Sequence, residues 1–206
     1  MQTQFLFFAL GATLFCAQAG SAQETDSTKF SADIGYSRVG RDLPVIGSVE
    51  PEPEYGGIGG HVGYSFSQHW SVEGEAIIGV ENDKDVFRSF SDTASSVANV
   101  KTELNHLLGV YVKGTLPITS KLNASARLGL AHAEIGYSGH TVVTDLETQE
   151  TTTFTFENSG DQSGTAIGIG LSYDVTDKIY VRGDFTQYDL TDDEMESASV
   201  GIGFRF

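Results

Sequence analysis

From residue 30 onward, apolar and polar positions alternate with a period of two, the signature of strands with one face turned to each of two environments. Phe30, Ala32, Ile34 and Tyr36 alternate with Ser31, Asp33, Gly35 and Ser37. The pattern returns at 58–66, 70–81, 108–116, 122–131, 167–175, 179–186 and 198–206, which makes eight predicted strands, an even number. No segment has the 3.6-residue period of an amphipathic helix.

The connections alternate too. Tight turns fall at Gln68, at 117–120 and at 176–178, and long polar stretches at about 39–56, 82–99, 138–163 and 189–196. Antiparallel strands joined this way carry every tight turn at one end and every long loop at the other, as in transmembrane barrels. Thr151-Thr152-Thr153-Phe154-Thr155-Phe156 has strand character and predicts a hairpin continued above the membrane. An open edge there is expected to take a partner strand.

Charge and composition then remove whole classes of function. The chain of 206 residues has 28 acidic and 12 basic side chains, a formal charge of −16 and a pI near 4.4. A nucleic-acid partner is excluded, because phosphate binding needs basic surface. One cysteine excludes a disulfide framework. No run of about 18 apolar residues predicts a membrane-spanning helix. Residues 5–15 (FLFFALGATLF) are of signal-peptide length and are followed by small residues. We expect a cleaved signal peptide over 1–22, with cleavage after Ala22, and a barrel domain over 23–206. Cys16 lacks the small preceding residue of a lipidation site.

The ionic residues on the strands fall on one face: Asp33, His61, Glu73, Glu75, Lys113, Arg127, Arg182 and Asp184. Each lies about three to six residues from the tight-turn end, roughly 7–14 Å along a strand. Mixed charges at one depth are what a closed polar lumen would use, and burial requires them to pair. The opposite face carries Phe30, Phe66, Trp70, Tyr173, Phe204 and Phe206 near the tight turns, and Tyr36 and Phe185 toward the loops. Two aromatic levels match two membrane interfaces.

The chain ends in Val200-Gly201-Ile202-Gly203-Phe204-Arg205-Phe206. This pattern of Val200, Ile202, Phe204 and Phe206 resembles the assembly signal of bacterial outer-membrane barrels. With WSVEGEA at 70–76, LLGVYVKGTLP at 107–117 and ARLGL at 126–130, the chain resembles the outer-membrane β-barrel domain family, which includes porin-like and OmpA- or OmpX-type eight-stranded proteins. The resemblance implies an all-β, eight-stranded, antiparallel up-and-down transmembrane barrel in the bacterial outer membrane. Its surroundings would be outer-membrane lipids and lipopolysaccharide, and the barrel-assembly machinery would read the terminal Phe.

The function expected is a non-enzymatic structural or surface-interaction role through long acidic loops, with a surface ligand the sequence does not name. The alternatives are a lipid A-modifying enzyme and a narrow channel. For the enzyme, the local His-x-Ser match, His69-Trp70-Ser71, falls at a tight turn away from the outer leaflet, and His140 with Ser138 has no supporting element. For the channel, eight strands leave an interior that side chains fill. Asp83, Asp85, Asp192, Asp193, Glu194 and Glu196 lack the spacing of a calcium loop. No catalytic residue, metal or cofactor is expected.

Overall fold

The computed structural model describes residues 29–41, 54–91, 93–191 and 194–206. The signal sequence with its cleavage at Ala22, and the acidic pair Asp192 and Asp193, lie outside the described residues.

The described chain forms nine strands: β1 (Phe30–Arg41), β2 (Glu54–Ser65), β3 (Trp70–Gly79), β4 (Asn82–Phe90), β5 (Ala94–Pro117), β6 (Leu122–Asp145), β7 (Thr151–Asp174), β8 (Ile179–Leu190) and β9 (Glu194–Arg205). All neighbours are antiparallel, in the order β3-β2-β1-β9-β8-β7-β6-β5, and β3 pairs with β5 to close the ring. Closure satisfies the backbone of every stave without an edge in lipid.

The predicted count of eight is the count of the ring, and the ninth strand is a break within one stave. Opposite the lower half of β5 stands β3, and opposite its upper half stands β4. Between them, the Val80 and Glu81 amides both turn to the Gly56 carbonyl, at 2.8 and 3.0 Å. An irregularity faces the break on β5, where pairing with β6 skips from Leu104 to His106.

Two expected loops are strands. Most of 82–99 belongs to the β4–β5 hairpin, and 138–163 is taken up by the β6–β7 hairpin. Their side chains are largely Ser, Thr, Asn and charged residues on both faces, so alternation carries little signal there. The β4–β5–β6–β7 sheet therefore rises past the ends of the other staves. At its tip the Asp145 carboxylate accepts the backbone N–H groups of Thr148 and Glu147 at 2.8 and 2.9 Å, which holds its carboxyl below the ordinary value. Gln149 beside it takes a left-handed φ of 60°. The hairpin predicted from Thr151–Phe156 is present.

The apolar face points outward. Ile34, Val62 and Ile169 are 61%, 66% and 65% exposed. The alternate positions turn inward, as at His61 and Glu73, which are 8% and 1% exposed. An exposed belt of Phe30, Tyr64, Phe66, Trp70, Tyr173, Phe204 and Phe206 rings the tight-turn end. Such a surface is stable against hydrocarbon and unstable against water.

Candidate functional site

Every ionic residue predicted to face the lumen meets another one there. Each sits on an inward position of a strand whose outward neighbours are apolar, so the alternation itself aims it. Lys113 on β5, Arg127 on β6 and Arg182 on β8 all reach Glu73 on β3; the Arg127 and Arg182 contacts are 3.0 Å each. Arg127 also reaches Glu75 at 3.0 Å. Arg182 continues to Asp33 on β1 at 2.9 Å and grips Asp184 through Nε at 2.6 Å and Nη2 at 2.8 Å.

His61 stands between two carboxylates. Its Nδ1 is 2.7 Å from Asp33 and its Nε2 is 2.9 Å from Glu75. Four carboxylates face three Lys and Arg side chains in this layer; an imidazolium at His61 gives each ring nitrogen a proton to donate and balances the charge.

Hydroxyl groups complete the shell. Tyr111 and Tyr188 donate to Glu75 at 2.5 and 3.2 Å, and Tyr180 donates to Asp33 at 3.1 Å. Arg127 donates to Thr186 from Nη2 at 2.5 Å. The Arg127 guanidinium also lies 4.4 Å from the Tyr111 ring centre. Glycine makes room for that ring: a Cβ at Gly129 would stand 2.8 Å from Tyr111 Cδ1. Tyr188 and Thr186 were missed in the sequence because neither is ionic at neutral pH, although both continue the inward parity of Arg182 and Asp184.

Above this polar layer lies an apolar one. Val39, Tyr55, Ile77, Leu104, Leu107, Ile135, Leu190 and Met195 are buried together toward the loop end. The sequence held one sign of it. Ile77 interrupts the inward series Ser71, Glu73, Glu75 with an aliphatic side chain. Below the charges, a polar cavity of about 250 Å³ opens at the tight-turn end, lined by Ser71, Lys113, Ser125, Arg182 and Arg205 among others. The lumen therefore runs from a polar vestibule, through paired charges, to a hydrophobic layer.

A polar cluster stands on the outer wall. Going up the staves, the outward apolar series ends at Leu108, Leu130 and Ile167. It gives way to His106 on β5, His132 and Glu134 on β6, and Ser163 and Asp161 on β7. His132 Nδ1 is 2.9 Å from the Ser163 hydroxyl, and its Nε2 is 3.7 Å from Asp161. The His106 and His132 rings are 5.7 Å apart. No local spacing in the sequence reveals this cluster, because β5, β6 and β7 each supply part of it. The local match at His69-Trp70-Ser71 does not form a pair: His69 Nδ1 lies 3.2 Å from the Thr115 carbonyl and Ser71 is buried on the lumen side. His140, expected in a loop, is on β6 beside Asn99 at 3.2 Å.

Charge divides sharply along the chain. Segments 38–56, 81–103, 134–161 and 189–196 hold 20 acidic and five basic residues, −15 of the total −16. The described part of the projection is therefore anionic, while the lumen is close to neutral.

An apolar outer wall, a lumen packed with paired charges and buried apolar side chains, and an acidic projection define a β-barrel of a membrane. The chain belongs to the outer membrane protein β-barrel domain family, whose model matches residues 7–206. It is similar in fold to the attachment invasion locus protein Ail of Yersinia pestis. That similarity has a TM-score of 0.51 at 16% identity, over 86% of this chain and 98% of the other. A structure of Ail with the heparin analogue sucrose octasulfate gives a TM-score of 0.50 at 16% identity, over 86% and 98%. Neisserial surface protein A gives 0.50 at 13% identity, over 89% and 100%. No curated protein sequence matches the chain. Its location is the bacterial outer membrane.

Proposed function

We propose that this barrel is a non-enzymatic surface protein that holds a recognition sheet above the outer membrane. The observation that carries the reading is the four-stranded β4–β7 projection, raised on a barrel whose interior is filled. Its inner face continues the lumen side and bears Phe87, Val100, Val143, Phe154 and Phe156, with Phe154 59% exposed. Aromatic side chains on a rigid sheet are good contact surface, and the surrounding −15 charge selects cationic partners. A polyanion such as the one bound to Ail would be repelled here. We also propose that β9, with Phe206 directly after it, is read by the barrel-assembly machinery.

The test replaces residues 138–157 by an Asn-Gly turn, which keeps the Tyr137–Asn158 pair and a favourable hairpin connection. Cells carrying the shortened protein should attach several-fold less to epithelial monolayers and to polylysine-coated surfaces, with the barrel still folded. Attachment equal to that of the intact protein would overturn the reading.

One observation favours a second reading, a lipid-modifying enzyme. The His132–Ser163 pair stands at the upper limit of the lipid-facing band, where acyl esters lie. Mass spectra of lipid A from cells with and without the protein decide between the two. The surface-protein reading expects identical spectra; a lost acyl chain that returns with Ser163→Ala would install the enzyme in its place.

A further inference from the structure

The projecting sheet ends in two unlike edges. On one side, β4 pairs only with β5. On the other, β7 pairs with β8 from Gly164 downward, and 151–163 pair only with β6. The outward positions of the β4 edge include Lys84 and Arg88, and those of the β7 edge include Glu157 and Asp161. Among the described residues, Lys84, Arg88 and Glu157 have no ion-pair partner in their own chain. Lys84 instead sits directly opposite Lys101 on β5, a like-charge pair.

We propose that these edges join: the β4 edge of one copy of this chain adds to the β7 edge of a second copy in the same membrane. Direction permits it. With both copies inserted alike, β4 runs away from the tight-turn end and β7 runs toward it, so the new pair is antiparallel and continues the sheet.

Register singles out one alignment. Lys84 opposite Asp161 also sets Arg88 opposite Glu157, since each pair is separated by four residues on its own strand. A shift of two residues puts the cations opposite Ser159 and Thr155, or opposite Ser163 and Ser159. A shift of one turns the charges to opposite faces. The aligned positions also stand at matching heights. Lys84 is 14 residues from Trp70, where β3 begins, and Asp161 is 13 residues from Asp174, where β7 ends. In this alignment Asn82–Phe90 covers 155–163 and stops where β8 takes over at Gly164. The joint is head-to-tail, so it builds rows rather than a closed pair.

Paired cysteines test the register. In a Cys16→Ser background, differently tagged Lys84→Cys and Asp161→Cys chains are expressed together and mildly oxidised in intact cells. Directly opposed antiparallel positions suit a disulfide. We expect a linked dimer carrying both tags, which neither variant forms alone. Lys84→Cys with Thr153→Cys, eight residues further up β7, should link at least about tenfold less. With the cysteines in place, Arg88→Glu on the first chain should lower cross-linking by about tenfold, as ~1.4 kcal/mol does for an association constant. Glu157→Arg on the other copy should restore it. Absence of the mixed-tag dimer from cells in which both chains run as folded barrels overturns the proposal, as does equal linking at Thr153.

Discussion

Arg127 on β6 spans the lumen to Glu75 on β3, 3.0 Å away, and shares its guanidinium with Glu73 at the same distance. Both carboxylates are nearly inaccessible to water. Replacing Glu75 by Gln leaves Arg127 and His61 each short of an anionic partner. Loss of one side of a buried pair costs about 3–5 kcal/mol. We expect Glu75→Gln to lower the midpoint of urea unfolding in detergent, and Glu75→Gln with Arg127→Met to fall short of the sum of its single changes. Additive losses would show that the two side chains do not depend on each other.

Phe206 closes the seam between β9 and β1. It exchanges two backbone hydrogen bonds with Phe30, of 2.9 and 3.0 Å, and its ring stacks 6.1 Å from the Phe30 ring. Deleting Phe206 removes this end of the ladder together with the proposed assembly signal. The fast-migrating folded band on unheated gels should shrink by several-fold. Phe206→Ala keeps the backbone bonds, so a comparable loss in that variant points to the ring and its recognition.

Conduction should be absent in planar bilayers. The charge layer is backed by Leu104, Leu107 and Ile135, so two barriers of different chemistry stand in series. Arg127→Ala opens only the lower one and should leave the membrane silent. Steady openings in the unmodified protein, altered by Arg127→Ala, would falsify this account of the lumen.

Gly139 is a packing requirement of the projection. A Cβ there would press on the Asn99 carbonyl and stand 2.9 Å from the Phe156 ring. Gly139→Val should separate the upper β5–β6–β7 pairing and leave the barrel below intact. Limited proteolysis of intact cells should then cut within 138–157 faster than in the native protein, with the folded band unchanged.

The ring and its inner charges were legible in the sequence because burial and exposure alternate residue by residue. Asp33, Glu73, Arg127 and Arg182 stand among lipid-facing Ile34, Val72, Leu128 and Val181, and hydrocarbon permits no other assignment of faces. Above the membrane that constraint disappears. Ser95, Asn99, Ser138 and Thr153 are compatible with water on either face, so the upper halves of β5, β6 and β7 read as loop. The outer-wall pair His132–Ser163 was hidden for another reason. Its two residues are brought together by the β6–β7 register, which no local spacing records. The apolar layer was hidden because Val39, Leu107 and Met195 come from three distant strands and each breaks its own pattern only once.

The contacts of Glu73 also have a mechanical meaning. Three cations from β5, β6 and β8 converge on this one side chain, and Arg182 carries the connection on to β1. These contacts act as spokes. A tube of eight strands held only at its wall can flatten under sideways load, but here flattening in most directions stretches a buried ion pair. The lower half of the barrel should therefore keep a round cross-section as the bilayer thickens, thins or crowds around it. Strain from the projection would be absorbed at the Val80–Glu81 break instead, where the stave has a joint but no spoke.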